Sequence, residues 1–329
     1  MRFILLILGG LLLVNTLLVT QARRRDPQPP WISFAHDSNL YKVRPDGSHL
    51  QQLTTGYHEE GSHAWSPDGK WIAFASYLQG QGMDIYRMNP EGKNIERLTN
   101  NDTGSSSPTW SPDSAWIVYE SQHDGNWQLF RIPADGSAPP IRLTEADNGA
   151  ALPAYSPDGQ WITFVTHPFR FDPRIYLMAS DGSEYHLVPA PNSKLYVPRW
   201  HPDGQHLLFS VNLREINSTL YTLDISQPEN GQHLPTPLDH QADLIFPTWS
   251  PDGEWIAFIA RYSATAYLYR VRSDGTELRR VTEIDNNIWY PAWSPIVDLE
   301  WRFIYGVGSG FGLILSAGLW RKVRAVQRR

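Results

Sequence analysis

Residues 107–120 read SPTWSPDSAWIVYE: a short extended run, a tight Ser-Pro-Asp turn and a second extended run. The pattern returns along the chain. HAWSPDGKWIAFAS spans 63–76, PAYSPDGQWITFVT 153–166, PRWHPDGQHLLFSV 198–211 and PTWSPDGEWIAFIA 247–260, and a degenerate copy, PAWSPIVDLEWRFIY, covers 291–305. Self-similarity at a fixed period means one supersecondary unit used repeatedly, and it has to be resolved before any other feature.

Two more signatures travel with this one. A Trp-Ile-x-Phe type strand starts at 31, 71, 116, 161, 206 and 255, at spacings of 40, 45, 45, 45 and 49 residues. After each comes a strand pair joined by a turn, such as IYRMNPEGKNIERLT from Ile85 and LYRVRSDGTELRRVT from Leu268. Apolar and aromatic residues alternate over strand length. Asp-Gly or Glu-Gly supplies the turn, because glycine tolerates positive φ. Four strands per repeat of about 45 residues, with no helical stretch, define a propeller blade.

With the strands lettered A (PTW), B (WIAF), C (LYRV) and D (ERLT), five sets run A to D, their A strands near 63, 108, 153, 198 and 247. A B–C–D set at 31–54 and a lone A strand at 291–293 remain, and these two fragments complete each other. The expected fold is therefore all-β: a six-bladed β-propeller of four-stranded antiparallel blades over 27–296, closed by the last A strand beside the first B strand. Closure removes both open edges. The blade at 206–246 departs most, with His206 for Trp and SQPENG for the short turn, so its C–D turn is expected to be longer.

The periodic residues have a structural reading. Trp65, Trp110, Tyr155, Trp200, Trp249 and Trp293 are one repeated position, and Trp71, Trp116, Trp161 and Trp255 another. Both are expected to pack between blades. Asp68, Asp113, Asp158, Asp203 and Asp252 follow Ser or His by two residues and are expected to cap their own turns. Spread around a ring, these carboxylates do not form an acid–base set.

The two ends differ from the repeats. The chain has 329 residues, no Cys, 14 Trp, 15 Tyr and a net charge of -6. Residues 27–300 carry 18 Lys/Arg against 33 Asp/Glu, while the ends are basic. An acidic body argues against nucleic acid as a partner. Residues 3–20 are uncharged and followed by Arg23, Arg24 and Arg25. That is the length of a membrane-crossing helix, so 1–25 is expected to be a signal anchor or a cleaved signal peptide. Residues 303–320, FIYGVGSGFGLILSAGLW, are also uncharged, and ~27 Å as a helix. A second span at 302–320, with a basic cytoplasmic tail at 321–329, is expected there. Its rival is a last strand with a Gly-rich tail. The positive-inside rule then sets the propeller on the extracytoplasmic side of the cell membrane.

Function is expected on the face where the blades vary. The A–B turns are nearly all SPDG, whereas the B–C and D–A loops differ from blade to blade, and variable loops on a rigid scaffold are the usual place for binding. The loop at 167–173 is the most aromatic and cationic, making His167, Phe169, Arg170 and Phe171, with the following Arg174, candidates for a protein or peptide contact. Asp102, Asp147 and Asp285 occupy equivalent D–A positions. Three carboxylates at one rim suit a hard cation such as Ca²⁺, although solvated turn formers are the simpler reading and no cofactor is expected. His58, Glu59, Glu60 and His63 lack the order of a metalloprotease motif. There is no Gly-x-Ser-x-Gly elbow and no phosphate-binding loop.

The repeat PTWSPDGEWIAFIA…YLYRVRSDGTELRRVT resembles the WD40-like β-propeller repeat of the TolB family, over about residues 31–294. The resemblance implies a six-bladed propeller that binds proteins or peptides at the cell envelope. The separate N-terminal α/β domain of that family has no counterpart in this sequence. Similar propellers precede the hydrolase domain of prolyl oligopeptidase-like peptidases, and about 33 residues follow the last repeat here. The expected function is a membrane-tethered, extracytoplasmic propeller that binds a partner on its B–C/D–A loop face without catalysis. The alternative is a propeller enzyme or carbohydrate-active protein at the central channel, which requires His, Tyr, Arg or carboxylate residues from at least three blades to meet near the axis.

Overall fold

The computed structural model describes residues 29–55, 62–77, 82–100, 103–123, 125–166, 173–191, 194–212, 217–238, 242–284 and 286–296. The uncharged stretches at 3–20 and 303–320 lie outside them. Among the described residues no helix is long and apolar enough to cross a membrane.

Six antiparallel four-stranded sheets form in the order the repeats predict. Blade 1 is β24 (Ile288–Trp293), β1 (Ile32–His36), β2 (Asn39–Val43) and β3 (Gln51–Gln52). Blade 2 is β4 (His63–Trp65), β5 (Ile72–Ser76), β6 (Asp84–Met88) and β7 (Glu96–Arg97). Blade 3 is β8 (Ser105–Trp110), β9 (Trp116–His123), β10 (Asn126–Pro133) and β11 (Ile141–Arg142). Blade 4 is β12 (Ala151–Tyr155), β13 (Trp161–Thr166), β14 (Arg174–Ala179) and β15 (Tyr185–Leu187). Blade 5 is β16 (Lys194–Trp200), β17 (His206–Asn212), β18 (Thr219–Asp224) and β19 (Gln232–His233). Blade 6 is β20 (Asp243–Trp249), β21 (Trp255–Arg261), β22 (Ala266–Arg272) and β23 (Arg279–Arg280). The long turn expected in blade 5 is present and includes a 3₁₀ turn at Pro228–Asn230.

The repeat sequence explains why these strands pack. A B strand has A and C beside it in its sheet and a neighbouring blade on each face, so β5 is buried at every residue. This is why WIAF reads as a continuous apolar run and not as an alternation. The Phe of WIxF and the Tyr of LYRV are register partners, as in Phe74↔Tyr86 and Phe164↔Tyr176. Their rings stack at 5.7 and 5.5 Å. Every apolar cluster straddles two blades: Ile32, Phe34 and Val43 pack with Ile245, Ile259 and Leu268, for example. No blade owns a core, so each depends on its neighbours, as repeat architectures do.

The Ser-Pro-Asp turns close as expected from their sequence. In blade 2 the Ser66 hydroxyl donates to Asp68 Oδ1 at 2.7 Å and accepts the Trp71 N–H at 2.9 Å, while Lys70 N–H reaches the same carboxylate at 3.1 Å. Asp113, Asp158 and Asp252 take the same role beside Ser111, Ser156 and Ser250. The tryptophans that follow are half-buried, and several carry a guanidinium on the ring: Arg87 over Trp71 at 4.1 Å, Arg131 over Trp116 at 4.7 Å and Arg270 over Trp255 at 4.1 Å.

Most C–D turn glycines have a second duty besides their positive φ. Gly92, at φ 75°, lies against the preceding blade so closely that a Cβ would meet the Leu53 carbonyl oxygen at 2.1 Å. Gly104, at φ 90°, has nothing within 4 Å of that position. Gly104→Ala is therefore expected to cost only the backbone penalty of a left-handed conformation, about 1 kcal/mol. Gly92→Ala adds a backbone clash across a blade interface and should cost several times more, by denaturant unfolding. Equal losses would mean the contact yields freely.

Candidate functional site

The inner strands build the site. In five blades the residue before the A-strand proline has positive φ: Ser107 at 52°, Leu152 at 56°, Val197 at 20°, Phe246 at 52° and Tyr290 at 50°. Residues with a Cβ seldom adopt this conformation. The pairing of the inner strand with the B strand slips at each of these points, for example between Ser106 and Thr109 and between Tyr196 and Arg199. Proline has no N–H to give to a ladder and is accommodated at such bulges. Blade 2 has His63 in place of the proline, and there the pairing runs straight through His63↔Phe74, Ala64↔Ala73 and Trp65↔Ile72.

The residue after the bulge faces the axis. Ala64, Thr109, Ala154, Arg199, Thr248 and Ala292, one from each blade, line a cavity of about 350 Å³. This lies at the small end of the ~300–1,000 Å³ range of ligand pockets. Its outer wall includes Pro67, Pro157, Pro202, Pro251 and Pro295, so it lies towards the face of the A–B turns. Beyond Arg199, towards the opposite face, is a space of about 10 Å³ bordered by Ser62, Ser107, Leu152, Val197 and Tyr290. Arg199 borders both, and thus forms the floor of the larger one.

Arg199 has no hydrogen bond and no ion pair among the described residues. Burial lowers its pKa to about 10, with Tyr290 acting in the opposite direction. Among the described residues no carboxylate lines the larger cavity. The nearby acid, Glu120, is occupied elsewhere: it accepts from the Ser106 hydroxyl at 2.6 Å, the Ser107 hydroxyl at 2.9 Å and the Leu152 N–H at 2.6 Å. Burial raises its pKa, opposed by those three bonds.

His63 is buried on the same wall. Its Nε2 lies 2.7 Å from the Ser33 hydroxyl, which also accepts the Trp65 indole N–H at 2.8 Å. Its Nδ1 has no partner. Burial, and then the Arg199 charge, hold its pKa down at about 3. Tyr155 is pushed up to about 12, chiefly by burial. Histidine, tyrosine and arginine from three blades thus meet near the axis, the condition set for an enzyme. Burial moves the histidine below, and the tyrosine above, the neutral range that best suits a general acid or base. The Ser33–His63 pair resembles a nucleophile and base, but Ser33 is wholly buried and does not line the cavity.

The candidates read from sequence fall elsewhere. Trp65, Trp200, Trp249, Trp293 and Tyr155 reach the cavity wall, and the Ser-Pro-Asp carboxylates stay in their turns. His167, Phe169, Arg170 and Phe171 lie outside the described residues, as do His58, Glu59, Glu60, Asp102 and Asp285. Arg174 opens β14 and is half-buried. Asp147 is exposed in its turn, where its carbonyl accepts from the Asn126 amide at 3.3 Å. The sequence reading passed over another group, His201, Asp203 and His206, whose ligand atoms lie within 4.8 Å of one another. Two imidazoles and a carboxylate are a donor set for Zn²⁺ and similar ions. The signal was the pair of departures in HPDGQH, histidine replacing both the Ser and the Trp of the repeat.

Known proteins carry the same architecture. The family model described as TolB beta propeller domain matches residues 31–167 and 139–299. The uncharacterized protein Atu1656 of Agrobacterium fabrum is 32% identical over 125 residues, which is 38% of this chain and 40% of that protein. The uncharacterized peptidase YuxL of Bacillus subtilis is 32% identical over 100 residues, 30% of this chain and 15% of that one. The chain thus spans less than half the length of both curated relatives. The crystal structure of TolB from Acinetobacter baumannii has the same fold, with a TM-score of 0.69 at 20% identity, covering 81% of this chain and 67% of that one.

Proposed function

Since the chain belongs to the TolB beta propeller domain family, we propose that it is an extracytoplasmic, membrane-tethered binding module, without catalytic activity, which receives a segment of a protein or peptide partner in the axial cavity. One observation carries this reading: six inner strands converge on a cavity whose ionisable residues, His63, Tyr155 and Arg199, do not exchange protons near neutrality. Such a site is suited to holding and orienting a ligand, and the directions of these shifts do not favour acid–base chemistry on it. The tether rests on the uncharged stretches at 3–20 and 303–320. No cofactor is required.

The loop at 167–173 is the second contact surface, favoured by its aromatic and cationic composition. Crosslinking pull-down from the membrane fraction separates the two. The full chain is compared with a form carrying Thr109→Met and Ala292→Met, which narrows the channel, and with a form whose 167–173 loop is Gly/Ser. Loss of the captured partner in the narrowed form supports axial binding. Loss only in the loop form moves the site to the opposite face. Undiminished capture by both forms overturns both.

A further inference from the structure

Five of the six axial positions carry Ala or Thr, and the sixth carries Arg199. The repeat therefore does not need a long side chain there, since five blades pack without one. A guanidinium is five donors and a fixed positive charge. Arg199 is half-buried and open to the cavity, and drawing it even partly from bulk water without a counter-charge is costly unless something compensates.

The hydrogen bonding of the neighbouring indoles also changes beside Arg199. In two blades the A-strand Trp donates to the axial carbonyl of the preceding blade, Trp110 Nε1 to Ala64 O at 3.0 Å and Trp200 Nε1 to Ala154 O at 3.2 Å, and in blade 2 Trp65 donates to the Ser33 hydroxyl instead. By that rule Trp249 would donate to Arg199 O and Trp293 to Thr248 O. Both of those indole N–H groups are instead buried without a partner, and both rings line the cavity. Trp293 is only 9% exposed. His63 Nδ1, on the same wall, is also unpartnered. The pattern of satisfied donors thus lapses in the two blades that follow Arg199 around the ring, beside a cavity lined by no carboxylate among the described residues.

We propose that the axial cavity is a carboxylate-binding site, in which Arg199 pairs with a carboxylate of the inserted partner segment. The assignment rests on the binding reading above and narrows its ligand to an acidic one. A peptide offers that group from two sources, a free C-terminus or an Asp/Glu side chain. Arg199 at the floor of the cavity would then recognise charge, while the aromatic and proline walls accept whatever apolar surface enters with it.

Three acetylated peptides on the full chain separate the sources: Gly-Ser-Gly-Ser-Ala with a free C-terminus, Gly-Ser-Glu-Ser-Ala as its amide, and Gly-Ser-Gly-Ser-Ala as its amide. Binding is read by calorimetry and by the shift in Tm. One or both carboxylate peptides should bind and the neutral amide should not, and the better of the two identifies the source. Arg199→Ala, which gives blade 5 the residue of blades 1, 2 and 4, should weaken carboxylate binding at least about thirtyfold, as removal of one partner of a desolvated charge pair does. Equal binding of the neutral amide, undiminished binding by Arg199→Ala, or no carboxylate binding at all overturns the proposal. Melting without ligand is an independent check. Arg199→Ala should match or exceed the wild-type Tm, because an uncompensated charge is removed, and a clear fall would mean the chain itself supplies a counter-ion. Partner capture through the channel that is indifferent to Arg199→Ala leaves the binding module standing and removes only its acidic ligand.

Discussion

Deletion of residues 288–293 should abolish the cooperative melting of the ring. This segment is β24, the inner strand of blade 1, and it pairs with β1 through Ile32↔Trp293, Ser33↔Ala292, Ala35↔Trp289 and His36↔Ile288. It buries Ile288 completely and Trp293 to 9% exposure, in a cluster shared with Ile245 and Ile259 of blade 6. Burying an aliphatic side chain of this size is worth about 1.5–3 kcal/mol, and truncating a buried Trp costs about 3–5 kcal/mol. Together with the exposed edge of β1, the loss is comparable with the whole net stability of a domain, about 5–15 kcal/mol. Trp293→Ala alone should lower stability by about 3–5 kcal/mol. Thermal melts followed by circular dichroism and Trp fluorescence are the check, and a deletion that melts like the parent would mean some other strand closes the ring.

The second large effect is acid sensitivity through His63. In an unfolded chain this imidazole takes up a proton near pH 6.5, but in the ring only near pH 3. Between those values the unfolded state holds the extra proton, so stability falls as pH falls, by about 1.4 kcal/mol per unit at full effect. Above pH 6.5 the imidazole is neutral in both states and the contribution is constant. Glu120 acts in the opposite sense, because burial raises its pKa and its protonated form favours the folded state at low pH. The two are separated by His63→Gln, which retains a polar group for Ser33 and does not titrate. Its Tm should fall less than that of the parent between pH 7 and pH 4, with the gap widening towards acid. Parallel profiles would show that His63 takes up its proton in the ring as readily as in the unfolded chain.

Most of the architecture could be read because the repeat restates itself. The WIxF run, the Ser-Pro-Asp turn and the Asp-Gly turn each specify a local geometry, and the orphan strand at 291–293 had one place to go. What lay beyond the sequence was orientation at the axis. PRW beside PTW, PAW and PAY is visible as a departure, but nothing in the letters says that the middle residue faces the channel, because a bulge before the proline resets which side chain points inward. The pairing of glycine turns with the backbone of the preceding blade was equally hidden, since it depends on the distance between blades. Variation among the blades directs attention to the B–C and D–A loops. The described cavity lies towards the uniform turns, and its distinctive chemistry comes from Arg199 in blade 5, the least regular of the six, and from His63 in blade 2.

Splitting blade 1 between the two ends of the repeat array sets the order of events during synthesis. β1 is made first, yet its partner β24 begins more than 250 positions later. At about 5–20 residues per second, the two emerge roughly 10–50 s apart. Throughout that interval one side of β1, a strand with Ile32 and Phe34 destined for full burial, is an unpaired edge. The nascent chain must therefore avoid joining a second copy while it waits for its own end. Few contacts in the molecule span as much chain as this one, and topologies closed by such contacts fold slowly. The seam should accordingly be the step at which assembly of the ring is slowest and most exposed to error.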